Sequence, residues 1–155
     1  MKKFILLVIL SLCLSGCGAK ETSAPHACQD LTIRIPTDYI DLSGETFAED
    51  LDFVFGKEPV VINGIRDAKE TFAAYGLELD LQTYGGLLME VNQVSSQLTQ
   101  KDGIWNFSYT SGDFTYVVTL WETEAAFWTV QAYCPSEDYQ SNHDHIWEIL
   151  RSVTV

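Results

Sequence analysis

The second half of the chain holds four short segments, SSQLTQ, IWNFSYT, FTYVVTLWE and AAFWTVQAYC, with very little between them. The connectors are Asp102-Gly103, Ser111-Gly112-Asp113 and Glu122-Thr123-Glu124. A parallel crossover needs about a dozen residues, so connections this short permit only antiparallel neighbours. The four segments predict a meander, and the rest of the chain must fold around it. The last segment carries Phe127 and Tyr133 on one parity and Trp128, Val130 and Ala132 on the other. A strand that is apolar on both parities is expected to be buried on both faces.

Upstream, LTIRI alternates and is stopped by Pro36, which predicts a strand. DYIDLSGE predicts a short second strand before a turn at Ser43-Gly44. Residues 51–55 and 60–65 predict a hairpin about Gly56-Lys57-Glu58-Pro59, and KETFAAYG a single helical turn closed by Gly76. In LDLQTYGGLLMEVNQV, Asp80 is placed to cap a helix whose Leu81, Tyr84, Leu88 and Val91 follow helical spacing. Gly85-Gly86 costs that helix about 1–2 kcal/mol against two alanines, which close packing on the sheet would offset. After Pro135, EDYQSNHDHIWEILRS predicts a closing helix, capped by Ser141 or Asn142, with Ile146, Ile149, Leu150 and Val153 as its apolar face. The class is α+β, with residues 31–155 forming a single domain; about 125 residues suffice for one core.

The first residues point to a different role. Lys2 and Lys3 precede an apolar run too short to span a bilayer as a helix, the pattern of a secretory signal. Leu14-Ser15-Gly16-Cys17 resembles the lipobox of bacterial lipoproteins. That resemblance implies a signal peptide over residues 1–16, a diacylglyceryl group on the Cys17 thiol, and attachment to the outer, extracytoplasmic face of a cell membrane. Two acyl chains meet the requirement for stable anchoring. Residues 17–30, including GAKETSAPHACQD, then read as the lipidated cysteine and a flexible tether. With Cys13 removed and Cys17 acylated, Cys28 and Cys134 remain. An even pair in an exported chain is read by default as a disulfide, closing a loop that the chain-entropy model values at ~4–5 kcal/mol; two separate buried thiols are the alternative.

The chain has 22 acidic and 9 basic residues, a formal charge of -13 that becomes more negative by two when Lys2 and Lys3 leave. Such a surface repels nucleic acid and anionic lipid, so no nucleic-acid partner is expected and membrane contact falls to the lipid on Cys17.

The order of elements resembles the Mog1/PsbP-like fold, in particular small bacterial lipoproteins of uncharacterised function that carry it. The alternating strand ending at Pro36, the middle helix, the meander, the FWTVQAYCP strand and the closing helix ending EILRSV carry this resemblance. It implies an antiparallel sheet flanked by helices, an α/β/α sandwich, and an accessory or assembly factor that binds other proteins. It transfers no site residues.

Three constellations invite chemistry. His143 and His145 with Glu148, joined by Cys134 and His26, suggest a metal site or a Cys–His pair. Residues i and i+2 of a helix point to different sides, so His143 and His145 are not expected to converge. Glu45, Glu49, Asp50 and Asp52 lie close together but lack calcium-loop spacing and read as a solvated loop. Trp105, Phe107 and Tyr109 share one parity of a strand, as core or as a platform for a small molecule. No phosphate loop, dinucleotide fingerprint or nucleophile elbow occurs. No cofactor and no catalysis are expected; the expected function is a membrane-anchored, non-catalytic binding or accessory factor, with a small-molecule binder or a Cys/His metal-dependent protein as alternatives.

Overall fold

The computed structural model describes residues 22–155. The expected signal peptide, Cys17 and the first part of the expected tether lie outside the described residues. The expected meander is present: β6 (Thr99–Lys101), β7 (Ile104–Ser111), β8 (Phe114–Glu122) and β9 (Ala126–Pro135) pair antiparallel in sequence order. β6 is shorter than SSQLTQ because the chain before it turns aside to pack Leu98 against the helix at Gly85.

The predicted hairpin is β4 (Phe53–Lys57) and β5 (Val60–Ala68), and β5 pairs with the far side of β9. With β3 (Ile40–Asp41) on β4, the main sheet has seven strands in the order β3-β4-β5-β9-β8-β7-β6, all antiparallel. β9 therefore lies in the middle, which is why both of its parities are apolar. A second, two-stranded sheet joins β1 (Ser23–Cys28) to β2 (Leu31–Pro36). Six residues of the expected tether thus form a strand. SAPHAC lacks a strong strand pattern, but every one of its residues has a partner in β2.

Two apolar cores lie on opposite faces of the main sheet. One gathers Leu31, Ile33 and Ile35 of β2, Phe53 and Phe55 of β4, Trp128 and Val130 of β9, and Ile146, Ile149 and Leu150 of α3 (Tyr139–Leu150). Burying each of those last three side chains contributes about 1.5–3 kcal/mol. The other core sets Tyr84 and Met89 of α2 (Leu81–Val91) on Phe107, Val118, Leu120 and Phe127, with Phe72 of α1 (Lys69–Ala74) beside them. Asp80 caps α2 as expected, accepting from the Thr83 amide at 2.7 Å. The expected cap of α3 is wrong. Its N-cap is Asp138, and both Ser141 Oγ and Asn142 Nδ2 donate to the Asp138 carbonyl at 2.9 Å, so neither caps an amide.

Polar contacts tie the small sheet to the large one. The Asp30 carboxylate accepts from Arg66 Nε at 3.1 Å, Thr123 Oγ1 at 2.6 Å and Trp128 Nε1 at 2.8 Å. Burial alone would push this carboxyl up, but the three donors outweigh it and hold the group well below the usual carboxylate range. Among the described residues, no helix is long and apolar enough to cross a membrane.

Candidate functional site

The registers of β5, β9, β8 and β7 bring two rows of side chains onto the α2 face. In the first, Asn63, Gln131, Val118 and Phe107 are successive cross-strand partners. In the second, Val61, Tyr133, Tyr116 and Tyr109 are partners one step farther from α1. The tyrosines form a stack. Tyr109 lies on Tyr116 with centroids 4.8 Å apart and planes 5° from parallel, and Tyr116 on Tyr133 at 5.0 Å. Phe114 meets Tyr133 edge-on at 6.0 Å and is 40 % exposed, so the stack ends at solvent. All three tyrosines are half-buried. Burial, and after it the neighbouring Tyr116 hydroxyl, pushes the Tyr109 and Tyr133 phenols up, which keeps them neutral hydrogen-bonding groups.

Between these rows and the end of α2 lies a cavity of about 140 Å³. Phe107, Val118, Thr129 and Gln131 form its floor, while Leu88, Asn92 and Val94 form the wall. It is close in size to a cavity that holds one benzene ring. Asn63 stands beside Gln131 on the same face, 4 % exposed, and its Oδ1 has no hydrogen-bond partner among the described residues. An orphaned buried amide oxygen costs about 1–3 kcal/mol, so this oxygen is an acceptor held without compensation inside the fold.

The strand aromatics singled out in the sequence divide between two roles. Phe107 is core, whereas Trp105 and Tyr109 are half-buried at the margin of the core, and Tyr109 lines the cavity. Sequence reasoning missed Tyr116, Tyr133, Asn63 and Gln131. The turn at Ser111-Gly112-Asp113 would have aligned Tyr116 with Tyr109, but nothing local places β5 against β9.

The other constellations do not converge. His145 Nε2 lies 3.0 Å from the Tyr39 hydroxyl, while His143 Nδ1 lies 2.8 Å from Asp144 and its ring meets Tyr139. His26 sits edge-on to Phe53 and Phe55. Among the described residues no three His, Cys, Asp or Glu side chains gather as a metal-binding group. Asp52 of the acidic run is structural, accepting from the Arg66 amide at 2.7 Å and Gln29 Nε2 at 2.8 Å.

The expected Cys28–Cys134 bridge is corrected: both are free thiols. Cys28 Sγ donates to the Asp52 carbonyl at 3.7 Å, at the level of Arg66, whose partner in β9 is Trp128. Cys134 lies toward the other end of β9, about 20 Å along the strand, far beyond the roughly 6 Å that a disulfide spans between Cα atoms. Burial first, then nearby carboxylates, pushes both thiols up, so neither is poised as a nucleophile.

No family model and no curated protein sequence matches the chain. Among solved structures it is similar to the solution structure of cyanobacterial PsbP (CyanoP) from Synechocystis sp. PCC 6803, with a TM-score of 0.58. That match covers 92 % of this chain and 98 % of the other at 11 % identity. The fold is PsbP-like, as the order of elements implied.

Proposed function

We propose that this chain is a non-catalytic accessory domain, tethered by a diacylglyceryl group on Cys17 to the outer face of a cell membrane, whose tyrosine-lined sheet face binds an envelope protein. The lipobox-like Leu14-Ser15-Gly16-Cys17 supports the address. The PsbP-like fold supports an accessory role by analogy of fold. Packing of α1 and α2 on one core and α3 on the other supports reading the architecture as an α/β/α sandwich, with the β1–β2 hairpin sharing the α3 side.

The observation that carries the binding assignment is the continuous run Tyr109–Tyr116–Tyr133 ending in exposed Phe114. Tyrosines supply contact area at low entropic cost and are enriched where proteins meet. With five residues between Cys17 and β1, the tether reaches at most ~20 Å, so the start of β1 is held near the bilayer surface.

Site-specific photocrosslinking in intact cells tests the reading. A crosslinker at Tyr116 is expected to capture a defined envelope protein, and one at exposed Glu124 is not. Equal capture from both positions removes the binding assignment. Cys17→Ala is expected to move the protein from the membrane to the soluble fraction and abolish fatty-acid labelling; unchanged fractionation removes the address.

A further inference from the structure

His145 and Glu148 share one face of α3, and Ser152 follows on the same side just past its end. The β1–β2 hairpin lies against that side, where Arg34 and Ser23 join these three residues around a hollow of about 100 Å³. The Arg34 amide donates to Ser152 Oγ at 2.9 Å, which fixes strand to helix. The guanidinium of Arg34 is held by the first residue of β1: Nε donates to Ser23 Oγ at 3.1 Å and Nη2 to the Ser23 carbonyl at 2.8 Å. Nη1 donates to no group among the described residues, so one edge of the fork stays open.

The charges around this hollow are not matched within the fold. Lys57, Arg66, Lys69 and Arg151 each pair with a carboxylate, whereas neither Arg34 nor Glu148 forms an ion pair among the described residues. A guanidinium and a carboxylate thus line the same small hollow without meeting. An anion entering alone meets Glu148 and a chain of formal charge -13, and a cation entering alone meets Arg34. A compact group that carries both charges satisfies both walls. The open edge of Arg34 suits a phosphate or carboxylate, which a guanidinium grips with two parallel hydrogen bonds. Glu148 suits an ammonium that still has N–H groups to donate. Position chooses between the two anions. Five residues separate Cys17 from Ser23, so the hollow stands at the root of the tether, within ~20 Å of the acylated sulfur and its phosphate-bearing surroundings.

We infer that this hollow is a headgroup site, which takes the phosphate of a membrane phospholipid on Arg34 and the primary ammonium of the same headgroup on Glu148. The lipid as source rests on the membrane address proposed above; the preference for a paired phosphate and ammonium rests on the hollow alone. A headgroup seated there turns this side of the hairpin and α3 toward the bilayer and gives the tethered domain one orientation.

The probe is glycerophosphoethanolamine, the soluble headgroup with both charges. Glycerophosphoglycerol carries the phosphate alone, and glycerophosphocholine has an ammonium with no N–H to donate. NMR of the isotope-labelled full chain in an uncharged detergent is expected to show saturable shifts at Arg34, Glu148 and Ser152 with glycerophosphoethanolamine. The other two are expected to bind at least about tenfold more weakly. Glu148→Gln is expected to weaken glycerophosphoethanolamine by about tenfold and bring it level with glycerophosphoglycerol, because only the ammonium contact is lost. Arg34→Gln is expected to abolish the shifts. Glu148 is exposed and outside the core, so its variant decides the matter should Arg34→Gln fail to fold.

Equal affinity for the three compounds, shifts confined to another face, or full affinity in either folded variant overturns the site. Failure of the titration with Cys17-dependent fractionation intact overturns this inference alone. Fractionation that does not depend on Cys17 overturns the address, and with it the lipid as source, whatever the titration gives.

Discussion

Replacing Asp30 by asparagine removes the charge that draws together the β1–β2 turn, Arg66 of β5 and Thr123 in the β8–β9 turn. Stability in urea is expected to fall by about 1–3 kcal/mol, because Arg66 and Trp128 lose their best acceptor. The pH dependence has a definite sign. The folded-state carboxyl is held below its unfolded value, so its stabilisation is complete above the unfolded value of about 4 and drains away as pH falls below that. Urea midpoints of wild type and Asp30→Asn should therefore differ most near neutrality and converge in strong acid. A gap that persists in acid would show that the charge of Asp30 contributes nothing. No sequence pattern announces this residue, since its three donors lie between 36 and 98 positions away.

Adjacent glycines give α2 its clearest test. A Cβ on Gly85 would stand 2.5 Å from Leu120 Cδ1 and 3.0 Å from Leu98 Cδ2, whereas one on Gly86 meets nothing. Gly86→Ala is expected to stabilise by about 0.5–1 kcal/mol through helix propensity alone. Gly85→Ala gains the same propensity but must displace two packed leucines, and is expected to destabilise on balance. Chemical denaturation of the pair decides it, and matching shifts would mean that α2 does not approach the sheet this closely. The sequence suggested close packing at this pair without saying which glycine makes the approach; only the helix's rotation on the sheet separates them. Asp80 as the cap of α2 was legible because capping is local, and the mistaken cap of α3 shows the limit of that logic. Ser141 and Asn142 are good capping types, but their side chains bond back to the Asp138 carbonyl one turn earlier.

For the whole molecule, separation of Cys28 from Cys134 predicts that stability does not depend on redox state. Urea midpoints with and without reductant are expected to coincide, and mass spectrometry of the unfolded chain should find both thiols free to alkylate. A midpoint that drops with reductant would mean that the two strands meet in another arrangement. Much of the architecture was already written in short windows of the chain. Turn chemistry and period two dictate the meander, period 3.6 the helices, and the double-parity apolar content of β9 its central position, because each depends on neighbours a few residues apart. The insertion of β9 between β5 and β8 is a decision of the tertiary structure. That insertion sets Asn63 beside Gln131, aligns Tyr133 with Tyr116, and keeps Cys28 a strand's length from Cys134. Long-range register is chosen by the summed fit of both cores at once, and no local segment contains that sum.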